Sequence, residues 1–154
     1  MKDLIERIQS SGKKAVMVVT GGGIGALDAL LAHPGASRFV LEACIPYSYP
    51  ALIDYIGEDV MQAVCDETAH GMAEAAYKRG RRLDPFSPII GIACTAALQT
   101  LRKRKGEDKA FLCIKDQDRQ LSKLIEVPAG TRSEQEEFLS NALITFMADF
   151  LEIE

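Results

Sequence analysis

The strongest chemical signal in the sequence is Thr20-Gly21-Gly22-Gly23, set between a β-branched apolar run and a stretch of helical character. Three glycines let backbone N–H groups converge on an anion, and a helix N-terminus behind them adds positive potential. The same glycines equally suit a tight turn with no ligand. Thr20 can act as an oxygen nucleophile, a hydrogen-bonding ligand residue or a cap, and nothing adjacent in sequence activates it. The pattern is neither a GxGxxG fingerprint nor a Walker loop, since no Lys-Ser/Thr follows. Glu42 matches the acidic ribose ligand of the fingerprint only loosely in spacing. Tyr47 and Ser48 lie in a proline-flanked loop where each is also an ordinary loop residue. Cys94 and Thr95 end another apolar run. A cysteine nucleophile there would need His33 or His70 as its base, and both sit in or beside helical segments.

These residues must be positioned by elements that can be read from the pattern. Residues 2–10 read as a short opening helix, with Leu4, Ile5 and Ile8 on one face. Ala15 to Thr20 is a continuous β-branched run, the signature of a strand buried on both faces. Ile24 to Leu31 reads as a helix that Pro34-Gly35 terminates. Phe39 to Ile45 is a second strand, 51–56 a helical turn, and Asp66 to about Arg79 a helix ending at Gly80. Pro88 to Thr95 is a third buried strand. Ala110–Lys115 and Leu121–Val127 form an antiparallel pair across the short polar connection 116–120. The last helix opens on a capping box, Thr131 with Glu134 or Ser133 with Glu136, and carries Phe138, Leu139, Leu143, Phe146, Met147 and Phe150 on an apolar stripe. Strands alternating with helices predict an α/β fold, a three-layer α/β/α sandwich around a mixed, mostly parallel sheet. In such sheets ligands bind beyond the carboxyl ends of the parallel strands, which selects 20–24, 45–50 and 94–96.

With 154 residues, the chain has the length of a single domain spanning 1–154. The 18 Lys and Arg against 22 Asp and Glu give a net charge of −4, which argues against nucleic acid as a partner. One basic run, Arg102-Lys103-Arg104-Lys105, reads as a solvated loop or as a patch that meets an anion. The four cysteines show no CxxC spacing and only two histidines accompany them, so neither zinc nor any other metal or cofactor is expected. The N-terminal segment has no continuous apolar region and no run approaches a membrane span, so a cytoplasmic protein without membrane contact is expected.

The order of strand, glycine turn, helix, Pro34-Gly35-Ala36-Ser37, strand, Tyr47-Ser48, helix and Ala93-Cys94-Thr95-Ala96 resembles the C-terminal domain family of the competence- and damage-inducible protein CinA. The resemblance runs from about residue 10 to 152 and implies the activity of that family's amidohydrolases. They convert nicotinamide mononucleotide to nicotinate mononucleotide and ammonia. The family's first motif is Ser-Cys-Thr-Gly-Gly followed by Pro-Gly-Ala-Ser. Counting back from Pro34 without gaps puts Thr20 at the nucleophilic serine, Gly21 and Gly22 at the Cys-Thr positions, and Gly23 on the first glycine. The second motif, Tyr-Ser-Asn-x-x-Lys, falls on Tyr47, Ser48 and Tyr49, with Leu52 in the place of its lysine. Thr95 matches the threonine of Thr-Gly-Ile-Ala-Gly-Pro, without the glycine and proline that follow. Gly130-Thr131-Arg132 is similar to the family's Gly-x-Arg segment, which implies Arg132 as a ligand residue.

On this resemblance Thr20 is the nucleophile, the Gly21–Gly23 amides meet the developing oxyanion, and Tyr47 positions substrate or assists proton transfer. Ser48, Thr95 and Arg132 contact the ligand, with Arg132 or the 102–105 run on a phosphate. Deamidation needs a group that accepts the nucleophile's proton and delivers it to ammonia, which a leucine at 52 cannot do. Lys13, Lys14 or Lys109 could supply it from elsewhere in the fold. A second reading keeps the pocket for a small phosphorylated or anionic ligand such as a pyridine nucleotide, with no covalent step, and a third is a structural or interaction protein whose pocket is vestigial. A homo-oligomer is expected, and a second subunit is another source of the missing amine.

Overall fold

The apolar runs order the chain as α1 (Lys2–Gln9), β1 (Lys14–Thr20), α2 (Ile24–Ala32), β2 (Val40–Cys44), α3 (Tyr49–Ile56), α4 (Asp66–Leu83), β3 (Ile89–Ala97), β4 (Lys109–Lys115), β5 (Gln120–Glu126) and α5 (Arg132–Phe150). A computed structural model describes residues 1–101 and 107–154; the basic run at 102–105 lies outside the described residues. The strands form one sheet in the order β2-β1-β3-β4-β5. β1 runs parallel to β2 and β3, while β3–β4 and β4–β5 are antiparallel. The fold is therefore the three-layer α/β/α arrangement with a mixed sheet.

Alternation along the central strands divides the core in two. Ala15, Met17 and Val19 of β1, with Ile90, Ile92 and Cys94 of β3, face α1, α2 and α5. Val16 and Val18, with Ala93 and Cys113, face α3 and α4 through Leu52, Ala69, Met72, Ala73 and Ala76. Continuous apolar runs at β1 and β3 follow from this, because helices cover both faces there. β5, at the edge, is exposed at most positions.

Two helix boundaries differ from the sequence expectation by more than one residue. α4 does not stop at Gly80 but continues to Leu83. Gly80 is there for packing: a Cβ on it would come within 2.5 Å of the Ile89 side chain and 3.3 Å of Val16. α3 begins at Tyr49 rather than 51, because Ser48 accepts a hydrogen bond from the Ala51 amide and Pro50 occupies the first turn, where its missing N–H costs nothing. The Thr131–Glu134 pair forms the capping box of α5. Among the described residues, no helix is long and apolar enough to cross a membrane.

Candidate functional site

The topology gathers the candidate residues at one end of the sheet. Thr20 ends β1, Thr95 lies opposite it in the parallel register near the end of β3, and Tyr47 follows β2. β4 starts at this end and β5 finishes there, so the chain enters α5 beside the same edge and delivers Arg132. A cavity of about 250 Å³ is lined by Thr20, Gly21, Tyr47, Ala63, Val64, Thr95, Ala96, Thr100 and Arg132. A second, of about 510 Å³, shares Tyr47, Thr100 and Arg132 with it and adds Gln99 and Leu101. The structure thus brings together Thr20, Gly21, Tyr47, Thr95 and Arg132, which sequence spacing alone leaves far apart.

Thr20 is buried, continuing the Val16–Val18 face, and its Oγ1 donates a long hydrogen bond, 3.5 Å, to the Tyr47 carbonyl. No amine or imidazole among the described residues bonds to that hydroxyl. Lys13 and Lys14 sit at the opposite end of β1, roughly 20 Å away at the usual strand rise; Lys14 donates from Nζ to the Ser37 carbonyl. Lys109 begins β4 opposite Ala97, two strands from β1, with its Nζ 5.6 Å from the centre of the Phe111 ring. Leu52 is 1% exposed and packs in the α3/α4 core, so its position is part of the hydrophobic interior.

The glycine turn is held by α5 from both sides. Arg132 donates from Nη2 to the Gly21 carbonyl at 2.8 Å and from Nη1 to the Gln99 carbonyl at 3.0 Å. One helical turn later the Glu136 carboxylate accepts from the Gly23 amide at 2.8 Å and the Gly25 amide at 3.1 Å. The Ser140 hydroxyl donates to the same carboxylate. The anion-attracting amides at the start of α2 therefore already hold a carboxylate from within the chain. Steric needs explain the glycines: a Cβ on Gly22 would lie 2.8 Å from Leu98 and 2.9 Å from Leu139, and Gly23 has φ +94°. Glu136→Ala should leave two amides without an acceptor and lower stability by about 1–3 kcal/mol in a denaturant titration. Glu136→Gln, which keeps one acceptor oxygen, should lose less.

A second polar cluster braces the rim. Gln135, 2% exposed, accepts from the Gln99 amide at 2.8 Å and donates to Asp108 Oδ2 at 2.8 Å and to the Pro128 carbonyl at 3.0 Å. Gln99 Nε2 donates to the same Asp108 oxygen at 2.9 Å. The carbonyl that receives Arg132 is thereby fixed from behind.

The remaining candidates have other partners. Ser48 caps α3. Thr95 is fully buried and its hydroxyl donates to the Ala63 carbonyl at 2.6 Å. Glu42 is gripped by Arg79 through Nε at 2.9 Å and Nη2 at 3.1 Å, and that hydrogen bonding holds its carboxyl below the usual range. Burial pushes the Cys94 thiol well above its ordinary value. His33 Nδ1 bonds to the Ala29 carbonyl and His70 pairs with Asp66 and Gln120, so neither serves Cys94. Sequence reasoning missed Glu136 and Gln135. Both occur on the α5 face that carries Leu139 and Leu143, and a polar residue in such a stripe signals a buried partner.

No family model matches this sequence, and no curated protein matches it. Solved structures share its fold. A CinA superfamily protein from Enterobacter cloacae superimposes with a TM-score of 0.81 at 14% identity, over 97% of this chain and 91% of that one. The competence/damage-inducible protein CihA from Agrobacterium tumefaciens gives 0.78 at 20% identity, over 98% and 94%. A competence or damage-inducible protein from Enterobacter asburiae gives 0.76 at 15% identity, over 98% and 96%. The arrangement of strands and helices is the one these solved structures share.

Proposed function

We propose that this CinA-like domain binds a small anionic ligand of pyridine-nucleotide size at the carboxyl end of its sheet, without a hydrolytic step. The observation that carries this reading is the state of Thr20. Its hydroxyl is buried, donates a hydrogen bond to a backbone carbonyl, and has no basic side chain among the described residues to activate it. Leu52 fills with core hydrocarbon the position that the resemblance assigns to a lysine. Among the described residues, nucleophilic attack and protonation of a leaving amine both lack their agent.

The pocket nevertheless retains what recognition needs. Arg132, half-buried and oriented by two carbonyls, offers a guanidinium to a phosphate or carboxylate. Tyr47 presents an aromatic ring at the lip shared by the two cavities, suited to stacking on a planar heterocycle. With the α2 amides engaged by Glu136, the ligand's anion falls to Arg132.

The test is a pair of measurements on purified protein with nicotinamide mononucleotide. Calorimetry should detect binding, weakened about tenfold or more in Arg132→Ala, the scale for loss of a charged hydrogen-bonding partner. Ammonia release should not exceed that of Thr20→Ala. Release by the wild-type protein above that background would restore the amidohydrolase reading.

A further inference from the structure

The inner cavity has a wall that belongs to none of the motifs. The segment 57–65, between α3 and α4, contributes Ala63 and Val64 to the lining beside Thr20, Gly21 and Arg132. It is not held by burying its own side chains throughout, since Met61 is 94% exposed and Glu58 and Asp59 also face solvent. Side chains from three surrounding elements reach its carbonyls instead. The Tyr49 hydroxyl on α3 donates to the Val60 carbonyl. Thr68 Oγ1 on α4 donates to the Gln62 carbonyl, and Thr95 Oγ1 on β3 donates to the Ala63 carbonyl at 2.6 Å. Cys65 Sγ lies 3.2 Å from Thr68 Oγ1 and 3.7 Å from the Gln62 carbonyl, closing a small network.

We infer that Thr95 and Thr68 are positioning residues whose buried hydroxyls fix the 57–65 strap as a wall of the pocket and so set which ligands it admits. Both are almost completely buried, at 0% and 1% exposure. A part-buried carbonyl that loses its donor must find another partner or water, and the segment is then held at one point fewer. Threonine suits the task because branching at Cβ leaves its χ1 few choices. Consecutive carbonyls, Gln62 and Ala63, are held from two different elements, a helix and a strand, which restricts the orientation of both peptides. The backbone leading into Val64 is thereby set at the depth where Thr95 itself lines the cavity. This assignment rests on the binding reading above for its ligand readout only.

Thr95→Val keeps the side-chain shape and removes the donor. Hydrogen exchange read by mass spectrometry should show the 57–65 amides exchanging about tenfold faster, while β1, β3 and β4 keep their protection and Thr95→Ser restores the strap. Thr68→Val should loosen the same segment and supplies the measurement if Thr95→Val does not fold. By calorimetry, nicotinamide mononucleotide should bind Thr95→Val about tenfold more weakly than wild type, and Thr95→Ser like wild type. Unchanged exchange in the strap overturns the inference whatever the ligand does. Faster exchange with undiminished affinity overturns the strap's part in ligand selection. If the wild-type protein does not bind this nucleotide, the function proposed above fails, and the exchange result still decides whether the hydroxyls hold the strap.

Discussion

Gly21→Ala yields no folded protein, or one weaker by about 4 kcal/mol or more in a denaturant titration. Two costs coincide at this position. The backbone has φ +78°, which a side chain raises by roughly 1–2 kcal/mol. The larger cost is steric: the new Cβ would lie 1.9 Å from the Ala96 carbonyl oxygen and 2.9 Å from its carbon. Those are backbone atoms of the strand paired with β1, so no rotamer change relieves the overlap. Only separation of β1 from β3 near Thr20 and Thr95 would, and that opens the candidate site. Gly12→Ala is the control, since Gly12 has φ +86° and nothing within 4 Å of its Cβ position. It should lose only the backbone cost. If the two variants lose equally, the close approach is not what demands glycine at 21.

Gly91→Ala should cost about 3 kcal/mol or more through the other face of the same strand. A Cβ there would meet the Ala73 carbonyl oxygen at 2.4 Å and the Tyr77 amide nitrogen at 2.6 Å. Both belong to the α4 backbone, so the helix must lift from the sheet. The core it closes, with Val16, Val18, Met72 and Ala76, would loosen together. Gly71→Ala on the same helix provides the contrast. Its nearest neighbour is the Ile56 Cγ2 methyl at 3.2 Å, a side-chain atom that need shift by only a few tenths of an ångström. Helix propensity favours alanine by about 1 kcal/mol, so this variant should be neutral or stabilised. Thermal melts of the pair read the difference directly; equal losses would mean that α4 does not seat on Gly91.

What could be read in advance, and what could not, divides along the range of the interactions. β1 and β3 are legible because burial on both faces leaves an unbroken apolar run, and α5 because its stripe and the Thr131–Glu134 box are local. The three-layer arrangement follows from their alternation. Gly80 misleads because its role is contact with Ile89, a residue beyond the helix, while the sequence offers only the local rule that glycine ends helices. Ser48 and Thr95 lie at the end of the sheet that the strand pattern selects, and their hydroxyls bond to the Ala51 amide and the Ala63 carbonyl, partners that spacing does not reveal. Glu136 is the sharpest case: a carboxylate from the last helix occupies the amides after the first strand. Its presence on an apolar stripe could have raised the question, but the partner comes from tertiary packing alone. The α/β architecture is thus written in local patterns, while the chemistry of its pocket depends on which distant polar group reaches which backbone atom.

The Gln99–Asp108–Gln135 cluster has a consequence for how this domain can vary. Gln99 and Asp108 flank the most basic stretch of the sequence, and hydrogen bonds join them to each other and to Gln135. The Val127 amide adds a bond to the Asp108 backbone carbonyl at 3.0 Å. Closing a loop is costly mainly because its ends must be brought together, and further length adds only about 0.6 kcal/mol per doubling. Here the ends are brought together by the scaffold. A longer or shorter stretch between Gln99 and Asp108 would therefore cost the fold little, provided the two ends stay joined.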